Sequence, residues 1–180
     1  TRPPPVISGA PKLGTPQGDD VLVYERPDQK EWQFHGHVTD DGHYLIITVS
    51  KGTDDKYRIL YKDLASDEKA EPTVLVDNFD DEWSFIDNVG PVFYFKTDRG
   101  APRGKVIAYD SSKKGPITEA KTIIPESKDT LQGVSLVGDR FFASYLQDAK
   151  TAVKVYERDG ALVRDVKFPG IGTASGFGGK

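Results

Sequence analysis

An all-β fold of repeated four-stranded antiparallel sheets is the architecture this sequence predicts, on three observations. Gly42, Gly90 and Gly138 stand 48 residues apart, each just ahead of a run that reads as a strand: His43–Ile47, Pro91–Phe95 and Asp139–Ala143. Tyr61, Tyr109 and Tyr156 keep nearly the same step, 48 and then 47 residues, each near a strand end and ahead of an Asp-containing turn. No stretch sustains a helical period; Leu60–Ala70 comes nearest and has too few apolar positions. A repeat of about 40 to 50 residues holding several short strands marks propeller blades, each a small sheet that must stack on its neighbours to bury both faces. The expected fold is a β-propeller segment of about three four-stranded antiparallel blades.

Taken in order, Thr1–Pro16 is rich in proline and glycine. Proline cannot donate to a ladder, so residues 1–16 read as a linker or N-terminal arm. Residues 17–180 read as the partial propeller domain. An extra strand at 21–25 closes on Arg26-Pro27-Asp28, a turn signal. The first blade, about 30–77, takes Trp32–Thr39, Tyr44–Ser50, Tyr57–Asp63 and Thr73–Val76 as strands. Asp40-Asp41-Gly42 divides the first two, with glycine supplying a positive φ. The second blade, 78–125, repeats the order with Trp83–Asn88, Val92–Lys96, Lys105–Asp110 and Lys121–Ile124. The third, 126–169, takes Gly133–Val137, Arg140–Leu146, Ala152–Arg158 and Leu162–Phe168. A further strand is expected at 174–180.

Composition narrows the function. Hydrophobic residues make up 37% and charged residues 29%, the balance of an ordinary folded domain. The net charge of −4 argues against a nucleic-acid partner, which would need a basic patch. No run reaches the roughly 18 apolar residues of a membrane-spanning helix, so no membrane partner is expected. With no cysteine there is no disulfide, thiolate metal site or cysteine nucleophile. That absence fits the cytoplasm, with periplasm and secretion staying open. The chain begins at Thr1 and has no methionine, as in a processed or excised piece.

Chemical motifs are scarce. The Gly-x-Ser-x-Gly elbow of a serine hydrolase does not occur. His35, His37 and His43 sit on or beside one strand pair with no nucleophile signal nearby. His35 and His37, two apart, share a strand face and could offer two imidazoles to a metal. No third ligand is evident, so a polar channel or wet strand face is the simpler reading. Asp77–Glu82 lacks the order of a calcium loop. Gly176-Phe177-Gly178-Gly179 follows no buried strand and opens no helix, so it is no nucleotide loop. No metal or cofactor is expected. Trp32 and Trp83 open equivalent strands in Glu-Trp-x-Phe contexts, most simply as packing between blades.

Leu13-Gly14-Thr15-Pro16-Gln17, Asp20–Glu25 and Val38–Ile47 closely resemble the propeller domain of the prolyl oligopeptidase family. Asp77-Asn78-Phe79, Val92–Asp98 and Ala143–Asp148 extend the resemblance, which runs from about Leu13 to Lys180. It implies a serine endopeptidase that cleaves short peptides after proline, its seven-bladed propeller capping an α/β-hydrolase domain. The catalytic residues would lie outside this chain, making the hydrolase domain and the remaining blades its partners. It also implies substrate-proximal positions at Gln33, Ser50 and Thr53. This chain departs from well-known members at the last two, where they carry Arg and Cys. Lys51 offers a charge beside Ser50, a solvated loop lysine being its simpler reading. Gln33, His35 and His37 are candidates to line the tunnel through which small peptides pass. A non-enzymatic module binding proteins or peptides is the alternative. An open arc of blades would leave apolar faces of several hundred Å² for a partner to cover, so self-association is a further expectation.

Overall fold

The computed structural model describes residues 6–8, 22–67 and 69–166. They form fourteen strands, no α-helix and two short 3-10 turns. The expected strand at 174–180 lies outside the described residues. No helix long and apolar enough to cross a membrane occurs among those described. The chain divides into two compact units, one up to Asp81 and one from Glu82.

In the first unit, β1 (Val6–Ser8) pairs antiparallel with β2 (Leu22–Glu25). Part of the stretch expected as a linker or extended arm therefore joins a ladder. A four-stranded sheet follows in simple chain order: β3 (Trp32–Val38), β4 (Tyr44–Lys51), β5 (Tyr57–Asp63) and β6 (Thr73–Val76). Every neighbouring pair is antiparallel. β4 holds Ile46, Ile47, Thr48 and Val49, β-branched residues that suit a pleated, buried surface. Trp32, Leu45, Ile47, Val49 and Leu60 form a core cluster joined by Val23 and Tyr24 of β2, Phe34 and Phe79.

The second unit holds two such sheets. The first is β7 (Trp83–Val89), β8 (Val92–Thr97), β9 (Lys105–Asp110) and β10 (Lys121–Ile124). The second is β11 (Thr130–Val137), β12 (Arg140–Gln147), β13 (Lys150–Glu157) and β14 (Leu162–Val166). Both run in chain order. They stack through one cluster: Tyr94, Val106 and Ile124 from one sheet meet Leu131, Phe141, Ala143 and Tyr145 from the other.

The 48-residue step has a local cause. Gly42, Gly90 and Gly138 lie in the turn between the first and second strands of each sheet, at φ of 73°, 54° and 59°. In the first of these turns the Asp41 carboxylate accepts from the Thr39 hydroxyl (2.7 Å) and the His43 amide (3.0 Å). Its aspartate thus serves turn chemistry.

Two features differ from the sequence-based expectation. β11 starts at Thr130, three residues before Gly133, because a bulge between Leu131 and Gly133 carries the ladder past the glycine. A Cβ at Gly133 would stand 3.3 Å from the Ser144 hydroxyl oxygen, which donates to the Gly133 carbonyl. The glycine permits this approach and does not mark a strand start. The link from β9 to β10 carries 3-10 turns at Ser111–Lys113 and Ile117–Glu119, with Asp110 capping the first by accepting from the Ser112 amide.

Candidate functional site

The six candidate residues all fall on the β3–β4 hairpin and the turn after it. The register sets Gln33 opposite Ser50, His35 opposite Thr48 and His37 opposite Ile46. Directly opposed residues share a face, with Cβ atoms about 5 Å apart. Gln33, His35, His37 and Ser50 therefore lie on one face of the sheet. Ser50 is buried, Gln33 half-buried, and His35 and His37 are exposed. β3 is the terminal strand of its sheet, paired on one side only within it.

Lys51 and Thr53 separate from that group. Lys51 pairs with Trp32, which puts it on the opposite face, and it is exposed. Thr53 is exposed in the turn between β4 and β5. The hairpin thus joins Gln33 to Ser50, lines up the two histidines beyond them, and sends the lysine elsewhere. Among the described residues, no three His, Asp or Glu side chains gather where they could hold a metal ion.

On the Trp32 face lies an arrangement that sequence reasoning missed. The Arg58 guanidinium carbon sits 4.6 Å from the Trp32 ring centroid and that of Arg26 4.9 Å away, the geometry of cation–π contact. Phe79 meets the same indole edge-on at 5.4 Å. Arg26 grips Asp28 through two hydrogen bonds of 2.8 Å, which hold that carboxyl well below its ordinary range. Arg58 is buried and ion-paired with Asp77, whose side chain is mostly exposed. Burial lowers the Arg58 pKa, and its Nε has no hydrogen-bond partner among the described residues. The available signal in the sequence was the apolar run Ile59-Leu60-Tyr61 that follows Arg58 directly in its strand.

Removing one member of a buried ion pair costs most when the survivor is the buried one. Asp77→Ala strands the guanidinium and is expected to lower stability by about 2 kcal/mol. Arg58→Met leaves Asp77 in water, keeps an apolar body against Trp32, and is expected to change stability by less than about 1 kcal/mol. Urea unfolding of the two variants checks this asymmetry. Equal costs would show that the pair, and not the burial of Arg58, sets the energy.

In the second unit the corresponding Trp83 has no arginine stacked on it among the described residues. Glu82 pairs with Lys96 at 2.5 Å, and its backbone amide donates to Asp98 at 2.7 Å. Trp83 is 2% exposed, and its indole N–H has no partner among the described residues.

Four-stranded antiparallel sheets in chain order, repeated every 48 residues and stacked face to face in the second unit, define a β-propeller domain. The family model of the prolyl oligopeptidase N-terminal beta-propeller domain matches residues 10–180. The chain belongs to that family. It is 34% identical over 170 residues to a prolyl endopeptidase of Elizabethkingia meningoseptica, covering 94% of this chain and 23% of that protein. It is 32% identical to prolyl oligopeptidase A of Galerina marginata, covering 91% and 22%. A solved structure from a study of two prolyl endopeptidases superposes with a TM-score of 0.84 at 37% identity, over 92% of this chain and 24% of that one. The ligand-free prolyl oligopeptidase B of Galerina marginata superposes at 0.82 with 29% identity, covering 91% and 24%. The chain spans about a quarter of the length of these relatives.

Proposed function

We propose that this chain is the substrate-gating part of the propeller of a serine endopeptidase that cleaves short peptides after proline. The observation that carries the reading is the family match over 171 of the 180 positions, residues 10–180, joined to a fold that repeats blade by blade. In this reading a hydrolase domain and further blades are the partners, and proline-containing peptides are the substrates. The exposed His35 and His37 on β3 line the path to the catalytic domain, and Gln33 with Ser50 stands nearest the substrate. A chain without cysteine depends on no oxidising compartment, and the proposal places the protein in the cytoplasm. Leu146, Leu162 and Val163 are exposed apolar side chains distributed over both faces of the third sheet, as suits a terminal sheet that another blade or a second copy covers.

The direct test is cleavage by the intact protein of matched peptides with and without an internal proline. Cutting on the carboxyl side of proline is the expected result, and indifference to proline would overturn the reading. A gating role predicts more. His37→Leu is expected to change kcat/KM for longer and shorter peptides unequally while leaving the single-turnover cleavage rate as it was. Unchanged kcat/KM for both lengths would remove His37 from the path.

A further inference from the structure

We propose that His35 and His37 on β3 form a two-imidazole site for a late first-row divalent cation, Cu(II) first among them. The two residues alternate along one strand, so they share a face with Cα atoms about 7 Å apart. Two rings leaning toward each other along the strand close that gap on one ion, at the ~2 Å of a metal–imidazole bond. Both side chains are exposed, and β3 is the terminal strand of its sheet, so the ion and its water ligands have open approach. Spacing alone pairs the imidazoles; the register adds that their face is free of positive charge. Lys51 lines up with Trp32, Arg58 with Val49 and Phe34, and Lys62 with Leu45 and Val38. Every cation in the strands of this sheet therefore lies on the opposite face. The histidines have Thr48 and Ile46 across from them, which repel no metal ion.

The donor set selects the metal. Imidazole suits copper, nickel and zinc, and Cu(II) has the highest affinity of the divalent series. Two protein nitrogens with water in the remaining positions fit tetragonal Cu(II), whereas a structural zinc site takes four protein ligands. Neither β3 nor β4 contains an Asp or Glu, so calcium and magnesium, which need several oxygens, find no cage. His37 is already engaged by a neighbour, which is compatible with ligation: an imidazole binds metal through one nitrogen and is ordinarily held through the other. No cysteine or methionine competes within these 180 residues, and His43, the third histidine, lies in the turn outside the row.

The test uses the intact protein and Cu(II) buffered with glycine. The parent is expected to bind one more Cu(II) than the double variant His35→Asn with His37→Asn. Electron paramagnetic resonance of the difference is expected to show two nitrogen ligands. Either single substitution is expected to weaken this site at least about tenfold, since loss of an outer partner alone costs that much. His43→Asn should leave it unchanged, and excess Ca(II) should leave the copper bound. Three results overturn the proposal: equal copper binding by parent and double variant, a difference spectrum with one nitrogen, or displacement of the copper by Ca(II). Should the variants fail to fold, diethyl pyrocarbonate labelling of the parent, read by mass spectrometry, separates the same outcomes. Cu(II) is expected to protect His35 and His37 together and leave His43 reactive; protection of neither, or of one alone, overturns the site. Because the readout is metal binding, it stands or falls apart from peptidase activity.

Discussion

Gly160→Ala is expected to destabilise the chain by about 3 to 5 kcal/mol, far more than one methyl group usually costs. Gly160 lies in the turn from β13 to β14 at φ of 95°, where L side chains are strained. Space is the larger obstacle. A Cβ there would fall 2.0 Å from the Ile123 carbonyl oxygen of β10, in the neighbouring sheet of the same unit. That oxygen belongs to backbone and cannot swing aside as a side-chain tip does. The turn is also held at both ends: the Gly160 amide donates to the Glu157 carbonyl at 2.9 Å, and the Glu157 amide donates to the Ala161 carbonyl at 2.8 Å. Gly138→Ala is the control, with φ of 59° and nothing within 4 Å of its added Cβ. It should cost only the backbone preference, about 1 to 2 kcal/mol. Urea unfolding of the two variants separates clash from conformational strain. Equal midpoints would mean that the two sheets part easily at this point.

Phe141→Ala is expected to cost about 3 to 5 kcal/mol. Phe141 is fully buried at the centre of the cluster between the two sheets of the second unit. Its ring meets Tyr94 edge-on, with centroids 5.0 Å apart and planes at 74°, the arrangement that aromatic quadrupoles favour. Truncation leaves a ring-sized hole against β-strand backbone that has little freedom to collapse. Phe142, the next residue, points to the other face and is half-buried. Phe142→Ala should therefore cost less, about 1 to 2 kcal/mol. Thermal unfolding of both variants reads the contrast. If Phe142→Ala proved the costlier change, the assignment of faces on β12 would be wrong.

How much of this was legible in advance depended on the range of each interaction. The strand order of all three sheets could be read because alternation of side chains and hairpin turn chemistry are local. Gly90 and Pro91 fill the link between β7 and β8 by themselves, so the turn was visible without its surroundings. The candidate hairpin was equally readable: Gln33 and Ser50 oppose each other once β3 and β4 pair about the Asp41–Gly42 turn. Lys51 could be placed on the opposite face by the same count. Arg58 could not be assigned its partner, because Asp77 lies beyond β6 and nothing between them announces the ion pair. Trp32 and Trp83 share a Glu-Trp-x-Phe context, yet one is flanked by two guanidinium groups and the other holds an N–H unmatched among the described residues.

The amino-acid sequence alone determined the three four-stranded sheets and the antiparallel order of their strands, because those follow from residue periodicity and from turns a few residues long; the family was legible through its resemblance to known propeller sequences, and the pairing of β1 with β2 was not legible. Tertiary structure decided which arginine is buried, which glycine tolerates no methyl group and which indole takes two guanidinium groups. Those outcomes arise where one strand meets another tens of residues away, as Gly160 meets Ile123 and Arg58 meets Trp32. Packing at such distances obeys shape and charge in three dimensions, which no local pattern of residues encodes.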